Sequence, residues 1–556
     1  MDLLMKNIHM CNQTKRAATQ ITLDEDLNVP DVRPDVEMII QSRENVNLEH
    51  TRAETGKLYL DGFMEVSILY MDDTKERRIQ RLDTRLSFEE TLVMEGLEPG
   101  ETVRVRHETE DLNVSLINSR KLAVRALVSF DASVDEIYDL SAAVEVRQEE
   151  TGKAQLPLCE KKQQLEYLQL EVQNKDILRV KEDVQLPSNK PDIREILWEN
   201  VQFRGCRTRL DTDKLLVQGS LFLFVLYRAE DEKESLQWIE QTIPVEGTLS
   251  CTGAAAGLVP DIEVTLAGAD LTAKEDIDGE LRTLHLEGVL ELNIRLYGTD
   301  TAELLSDVYS PEKNLEPVTE EETYESLVVR NESKCKAQGK IRIQSAKPRI
   351  LQICHCSGTV RIDQTKIEAG MKIEGALFVS ILYISADDTM PFSVLEGTIP
   401  FTYLAEAQGI DESCRYTLTA NLDQLSAAMS DSEEIEIRAT IALNLFAVRS
   451  GAVRCIREIQ EQDYTSEQLE AIPGLTGYIV QEGESLWDIG KKYFQTPQQI
   501  IEMNGLSSDQ IQKGECLILM KNVNPGYWSQ PGHVPAARSG LIPHEVRDAT
   551  RRGTKA

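Results

Sequence analysis

One stretch of this chain is written three times. KLYLDGFMEVSILY ends at Tyr70, KLLVQGSLFLFVLY at Tyr227 and MKIEGALFVSILY at Tyr383. Their glycines, Gly62, Gly219 and Gly375, lie 157 and 156 residues apart, and a fixed long period constrains architecture before any local propensity does. Within each copy the apolar residues share one parity: Leu58, Leu60, Met64, Val66, Ile68 and Tyr70; Val217, Leu221, Leu223 and Val225; Ile373, Leu377, Val379 and Ile381. That is the pattern of a strand with one buried face. Phe222, Phe224 and Leu226 make the second copy apolar on both faces, which predicts a more central strand there. A glycine inside a strand marks a bulge or the close approach of another backbone, so all three glycines are read as structural.

Two further landmarks keep the same period. Upstream stand Pro34-Asp35-Val36, Pro191-Asp192-Ile193 and Pro348-Arg349-Ile350. Proline cannot donate to a ladder, so each ends a short strand and opens a turn; Val36–Ile39 and Ile193–Leu197 then read as short turns or helical stubs. Downstream, Leu122 to Phe130, Leu284 to Leu296 and Ile435 to Leu443 alternate again, predicting a second long strand that closes each unit. The fold class expected is mainly β, with three similar antiparallel, sandwich-like repeats of roughly 120 residues at 15–141, 165–300 and 326–457. Charged segments around 142–164, 316–325 and 458–476 read as solvated linkers. Residues 522–556, rich in Pro, Gly and Arg without periodicity, read as a disordered tail.

Bulk properties narrow the function. With 60 Lys+Arg against 94 Asp+Glu the formal net charge is −34, which repels nucleic acid and anionic lipid. Ten cysteines without framework spacing fit reduced thiols. The N-terminal segment lacks the apolar core and cleavage site of a signal peptide, and no run approaches the ~18 apolar residues of a membrane span; a cytoplasmic protein without a transmembrane segment is expected. There is no GxxxxGK[ST] and no strand-GxGxxG-helix. The seven histidines are dispersed. Cys354-His355-Cys356 is too tightly spaced for a metal knuckle, and on a regular strand His355 would point away from both cysteines. No catalysis, cofactor or metal is expected.

Tyr478 to Leu519 has a different pattern. Tyr478 to Gln481 reads as a short strand. Ser485 and Asp488 form a capping box for a helix Leu486–Phe494, with Leu486, Ile489 and Tyr493 on one face. Thr496, Pro497 and Gln499 cap a second helix, which stops at Asn504-Gly505. Ile511, Gly514, Leu517 and Leu519 give a turn and a return strand. The order is βααβ, a small α+β module at 477–521. These residues, with Tyr478-x-Val480, Gly483-Glu484-Ser485-Leu486, Ile500 and Leu506, resemble the LysM module. That resemblance implies binding of N-acetylglucosamine glycans such as peptidoglycan in a groove between two loops. Carried onto this chain, the groove is Gly483, Glu484, Ser485 and Leu486 with Asn504, Gly505, Leu506 and Ile511, and Trp487 on its rim. Glu484 stands where the family usually has aspartate, and Met520-Lys521 where a proline is usual.

Three β repeats followed by one LysM are together similar to the clostridial sporulation proteins with SPOCS domains. That resemblance implies a mother-cell scaffold of the spore coat, docking on a coat morphogenetic ATPase of the stage IV sporulation protein A type. Two alternatives remain at this point: a peptidoglycan-binding wall protein, and a wall hydrolase, which the absence of an acid/base pair or nucleophile common to the repeats disfavours.

Overall fold

The computed structural model describes residues 1–148, 155–343, 347–387 and 389–521; the expected tail lies outside them, as do residues 149–154 of the first expected linker. Each repeat is six antiparallel strands. In repeat 1 they are β1 (Asp2–Asn28), β2 (Val36–Glu54), β3 (Lys57–Asp72), β4 (Ile79–Val93), β5 (Val103–Asn118) and β6 (Lys121–Arg147). Repeat 2 has β7 (Cys159–Gln185), β8 (Ile193–Asp211), β9 (Lys214–Ala229), β10 (Leu236–Ser250), β11 (Val259–Glu275) and β12 (Leu281–Tyr309). Repeat 3 has β13 (Asn314–Arg342), β14 (Ile350–Ile367), β15 (Met371–Ser385), β16 (Phe392–Ala405), β17 (Cys414–Met429) and β18 (Glu434–Gln462). The sheets are β2-β3-β4 and β1-β6-β5 in repeat 1, with the same order in the other two.

The three written-out strands, β3, β9 and β15, each lie at the centre of their own sheet, so copy two is not more central than the others. Its second apolar face has another use. Leu69, Leu226 and Leu382, at matching positions, meet in one cluster with Phe224, Trp198 and Phe392. The glycines sit where another backbone approaches: a Cβ on Gly62 would come closer than 3.0 Å to the Asn47 carbonyl and to Phe88, and one on Gly375 likewise to the Arg361 carbonyl and Phe401.

The proline landmark and the tyrosine landmark prove to be one device. Tyr70 Oη donates to the Pro34 carbonyl (3.3 Å), Tyr227 Oη to Pro191 (3.0 Å) and Tyr383 Oη to Pro348 (3.0 Å). Each ties the turn to the strand that carries the glycine. The residue after that proline then pairs with the start of the closing strand: Asp35 with Arg120 (3.0 Å), Asp192 with Arg282, and, in reversed polarity, Arg349 with Glu433 (3.1 Å). The third copy therefore departs from Pro-Asp because the charges have changed sides.

Two further sequence expectations are corrected. Val36–Ile39 and Ile193–Leu197 are neither turns nor helical stubs but the openings of β2 and β8. The alternation is broken there by β-bulges, repeated at the same places: Val36/Met38 and Ile39/Gln41, Ile193/Glu195 and Ile196/Trp198, Ile350/Gln352 and Ile353/His355. A bulge inserts one unpaired residue and shifts the period-2 pattern. The same bulge buries both Cys354 and His355, which a regular strand would place on opposite faces.

The linkers are the second correction. Ala142–Arg147, Cys159–Gln164, Glu316–Glu325 and Glu458–Gln462 are strand. They form the far halves of the ladders β1/β6, β7/β12 and β13/β18, which run on as ribbons beyond the sandwiches. The ribbons meet along a common axis. Leu140, Ala302 and Val453 make one layer, Ala142, Leu304 and Cys455 the next; Ala143, Leu305 and Ile456, then Val146, Val308 and Ile459, continue it. Exposed charged residues such as Glu145, Glu303 and Arg454 interrupt the buried ones, and such a segment reads as a linker. Glu325 is buried there and accepts from Arg415 at 2.8 and 2.9 Å. The repeats are thus one body with approximate threefold symmetry. Its joints include Arg81–Glu199 (3.1 Å) between repeats 1 and 2, His355–Glu240 (3.0 Å) between 2 and 3, and Arg361–Glu108 (3.0 Å) between 3 and 1.

Candidate partner-binding site

After β18 come α1 (Ser466–Glu470), β19 (Leu475–Ile479), α2 (Leu486–Tyr493), α3 (Pro497–Asn504) and β20 (Cys516–Met520). Both expected capping boxes are present: Ser485 with Asp488, and Thr496 with Gln499, the latter with Pro497 in the first turn. Gly505 ends α3 in the left-handed region at φ 61°, where a Cβ is costly. Val480, Leu486, Ile489, Ile500, Leu517 and Leu519 form the module's core.

The nine groove residues expected from the sequence fall into distinct environments. Gly483 (φ 83°) and Gly505 are exposed with open space around them. Their two loops are joined by the Lys513–Glu482 ion pair (2.6 Å) and by the Gly514 N–H donating to the Val480 carbonyl (2.9 Å). Glu484 accepts from the Tyr478 hydroxyl (2.6 and 2.7 Å) and the Gln481 amide (2.9 Å). That hydroxyl holds the Glu484 carboxyl below its usual range, and the carboxylate in turn pushes Tyr478 up to about 12. Ser485 is spent on the N-cap. Leu486 is 2% exposed and belongs to the core. Asn504 binds the edge of β20: its Nδ2 donates to the Ile518 carbonyl (2.9 Å) and its Oδ1 accepts from the Ile518 amide (2.6 Å). Leu506 and Ile511 are half-buried against the core. The groove surface left open is therefore the two glycines and the outer faces of Leu506 and Ile511.

Trp487 faces the repeats. Its ring meets Tyr309, at the end of β12, edge-on at 4.7 Å, and its Nε1 donates to Asp307 (3.2 Å). Lys491 pairs with the same carboxylate at 2.6 Å. The Tyr309 hydroxyl donates to the Gln495 carbonyl just past α2 (2.8 Å) and leaves no room for a side chain at Gly490. Burial pushes the Tyr309 hydroxyl well above its ordinary pKa. Tyr464 adds a second tie, donating to the Ser310 carbonyl (2.8 Å) and packing on Phe494 at 4.3 Å between rings. Sequence reasoning missed this seat. The available signal was Gly490: a glycine inside an amphipathic helix costs about 1 kcal/mol against alanine, and so points to a close contact.

Among the described residues no group of His, Cys, Asp and Glu could hold a metal ion, and no helix is long and apolar enough to cross a membrane. The described cysteines are all free.

The family model of the SipL, SPOCS domain matches residues 18–117, 192–274 and 349–430, once in each repeat, and that of the LysM domain matches 478–519. Both are families of binding domains. No curated protein and no solved structure matches the chain. The recurrence of one six-stranded unit on a common axis, with a βααβ module seated on its second copy, agrees with those matches, and the chain belongs to the family of SipL-like proteins that join SPOCS repeats to a LysM domain.

Proposed function

We propose that the protein is a non-catalytic adaptor of spore-coat assembly on the mother-cell side of the forespore. It docks through its LysM domain and repeats onto a coat morphogenetic ATPase of the stage IV sporulation protein A type. One observation carries this reading. The LysM domain does not hang from a linker but is fixed to the repeats by Tyr309, Asp307 and Tyr464, so a partner held in its groove has a set orientation to the threefold body. Such a presentation suits a scaffold, in which geometry between partners matters more than affinity alone.

The second reading is a peptidoglycan-binding protein, which the open loops around Gly483 and Gly505 would also suit. Binding of the full chain to the purified ATPase, beside co-sedimentation with peptidoglycan, separates the two. Ile511→Glu, on the groove wall, should weaken capture of the ATPase at least about tenfold, near 1.4 kcal/mol, with the melting of the repeats unchanged. Retention on peptidoglycan alone, lost in that variant, would favour the second reading.

A further inference from the structure

The two-stranded sheet of the LysM domain has an outer face that the fold does not use. In the register Leu475↔Met520, Gly477↔Ile518, Ile479↔Cys516, these residues all point away from the core, while Tyr478, Leu517 and Leu519 point into it. Leu475 is 66% exposed, Ile479 57%, Ile518 53% and Met520 49%. A solvated strand face is ordinarily polar; this one is apolar at both strands.

The two edges of the sheet differ as well. On β20 the edge is closed, since Asn504 takes both backbone groups of Ile518 and Gln495 donates to the Met520 carbonyl. On β19 it is open. Gly474, Thr476, Tyr478 and Val480 turn their backbone groups toward β20, as the Lys521 N–H to Gly474 and Val480 N–H to Glu515 bonds show (3.1 and 3.0 Å). Leu475, Gly477 and Ile479 therefore turn theirs outward. Of these, only the Ile479 carbonyl has a partner among the described residues, the Gln481 side chain at 2.8 Å. Gly477 leaves open space over the outer face.

We propose that β19 is a strand-addition site for an extended segment of a partner protein, with apolar residues at alternate positions. The segment pairs with the backbone of Leu475, Gly477 and Ile479 and extends the apolar face of Leu475, Ile479, Ile518 and Met520. Main-chain hydrogen bonds supply the affinity and alternate side chains the specificity, as in other β-augmentation. The exposed patch, on the order of a few hundred Å², is of the size that is functional on monomers. It falls far short of the roughly 1,200 Å² of a stable protein–protein interface, so a single segment suits it better than a second copy of the chain. This surface is separate from the groove, and its test does not depend on the groove reading.

The test uses the full chain and a fluorescent nine-residue peptide of alternating valine and threonine, read by anisotropy. Gly477→Pro removes an outward N–H without touching the β19–β20 ladder, because proline is tolerated at a strand edge. It should weaken binding at least about tenfold. Ile518→Lys, on the exposed outer face, should do the same and serves if the proline variant fails to fold. Ile511→Glu in the groove should leave peptide binding unchanged. Equal binding by the wild-type chain, Gly477→Pro and Ile518→Lys, or no binding at all, overturns the proposal. So does self-association in sedimentation that Gly477→Pro abolishes, which would make the occupant a second copy. A gain of peptide binding on deleting residues 522–556 would make the occupant the chain's own C-terminal segment, and overturns it too.

Discussion

Replacing Tyr309 by alanine should free the LysM domain from the repeats without unfolding it. The ring is 3% exposed, packs edge-on against Trp487 at 4.7 Å and carries the hydroxyl that satisfies the Gln495 carbonyl. Deleting a buried aromatic side chain costs about 3–5 kcal/mol. Part of that falls on the end of repeat 2. If the larger part is docking energy, the docked-to-undocked ratio drops about 10²-fold, at 1.4 kcal/mol per factor of ten. The LysM core of Val480, Leu486, Ile489, Ile500, Leu517 and Leu519 contains no docking residue, so the domain itself should keep its fold. Hydrogen exchange reads this directly. Amides of α2 and β20 should keep their protection, because their hydrogen bonds lie within the domain, while Trp487 fluorescence should shift to the red as its ring leaves Tyr309 and meets water. A double-mutant cycle with Trp487→Ala should return a coupling of about 0.5–1.5 kcal/mol, as for other aromatic pairs. An unshifted Trp487 emission, or a coupling near zero, would show that Tyr309 does not hold the domain and would remove the support for an oriented groove.

The other expectations concern the repeats. Tyr227→Phe should cost about 0.5–1.5 kcal/mol by denaturant melting, since its hydroxyl alone ties Pro191 to β9; no change would mean water replaces the bond freely. Gly375→Ala should destabilise repeat 3 by about 1–3 kcal/mol, because the new methyl has the Arg361 carbonyl and Phe401 in its way; a neutral result would mean the two strands can part without cost. His355 is 2% exposed against Phe224, with Glu240 at 3.0 Å and Arg204 and Cys356 nearby. Burial lowers its pKa, with Glu240 opposing and Arg204 assisting. As pH falls below about 6.5 the unfolded chain takes up the proton first, so the stability due to neutral His355 is present above that value and is lost as pH falls through the folded one. His355→Gln, which copies Gln41 of repeat 1, should flatten the fall in Tm between roughly pH 7 and 5; an unaltered slope would place the titration elsewhere.

What the sequence revealed and what it hid have the same cause, the period-2 pattern. Where one face of a strand is buried along its whole length, as from Leu58 to Tyr70, both the strand and its repeat were legible. The LysM helices were legible because their caps are local: Ser485 with Asp488, Thr496 with Gln499. The openings of β2 and β8 were hidden by bulges, which add one residue and put the alternation out of step. The ribbons were hidden because bulges break their alternation, so that Ala142 and Ala143, Leu304 and Leu305, and Cys455 and Ile456 are buried side by side. At the candidate site, Gly483 and Gly505 are exposed, whereas Leu486 serves the core, Asn504 the edge of β20 and Trp487 the seat on repeat 2. Of the seat, only Gly490 left a trace in the sequence; its partner Tyr309 lies far away in the chain and belongs to no spaced motif.

The same axis explains why only one of three similar repeats holds the LysM domain. Val146, Val308 and Ile459 occupy one layer of the ribbon core, and the residues that follow them are Arg147, Tyr309 and Gln460. The residues before them, Glu145, Asp307 and Glu458, are all acidic, so each ribbon end offers a carboxylate to a cation such as Lys491. Only the second adds an aromatic ring with a hydroxyl that can reach past α2. Charge alone would let the domain settle on any of the three ends, because exposed ion pairs contribute only about 0–1 kcal/mol. A buried aromatic contributes several times that. The chain leaves β18 at Gln462, paired with Asn314 next to this end, and Tyr309 with Tyr464 fixes the domain there, so the threefold symmetry is broken at a single groove in a single orientation.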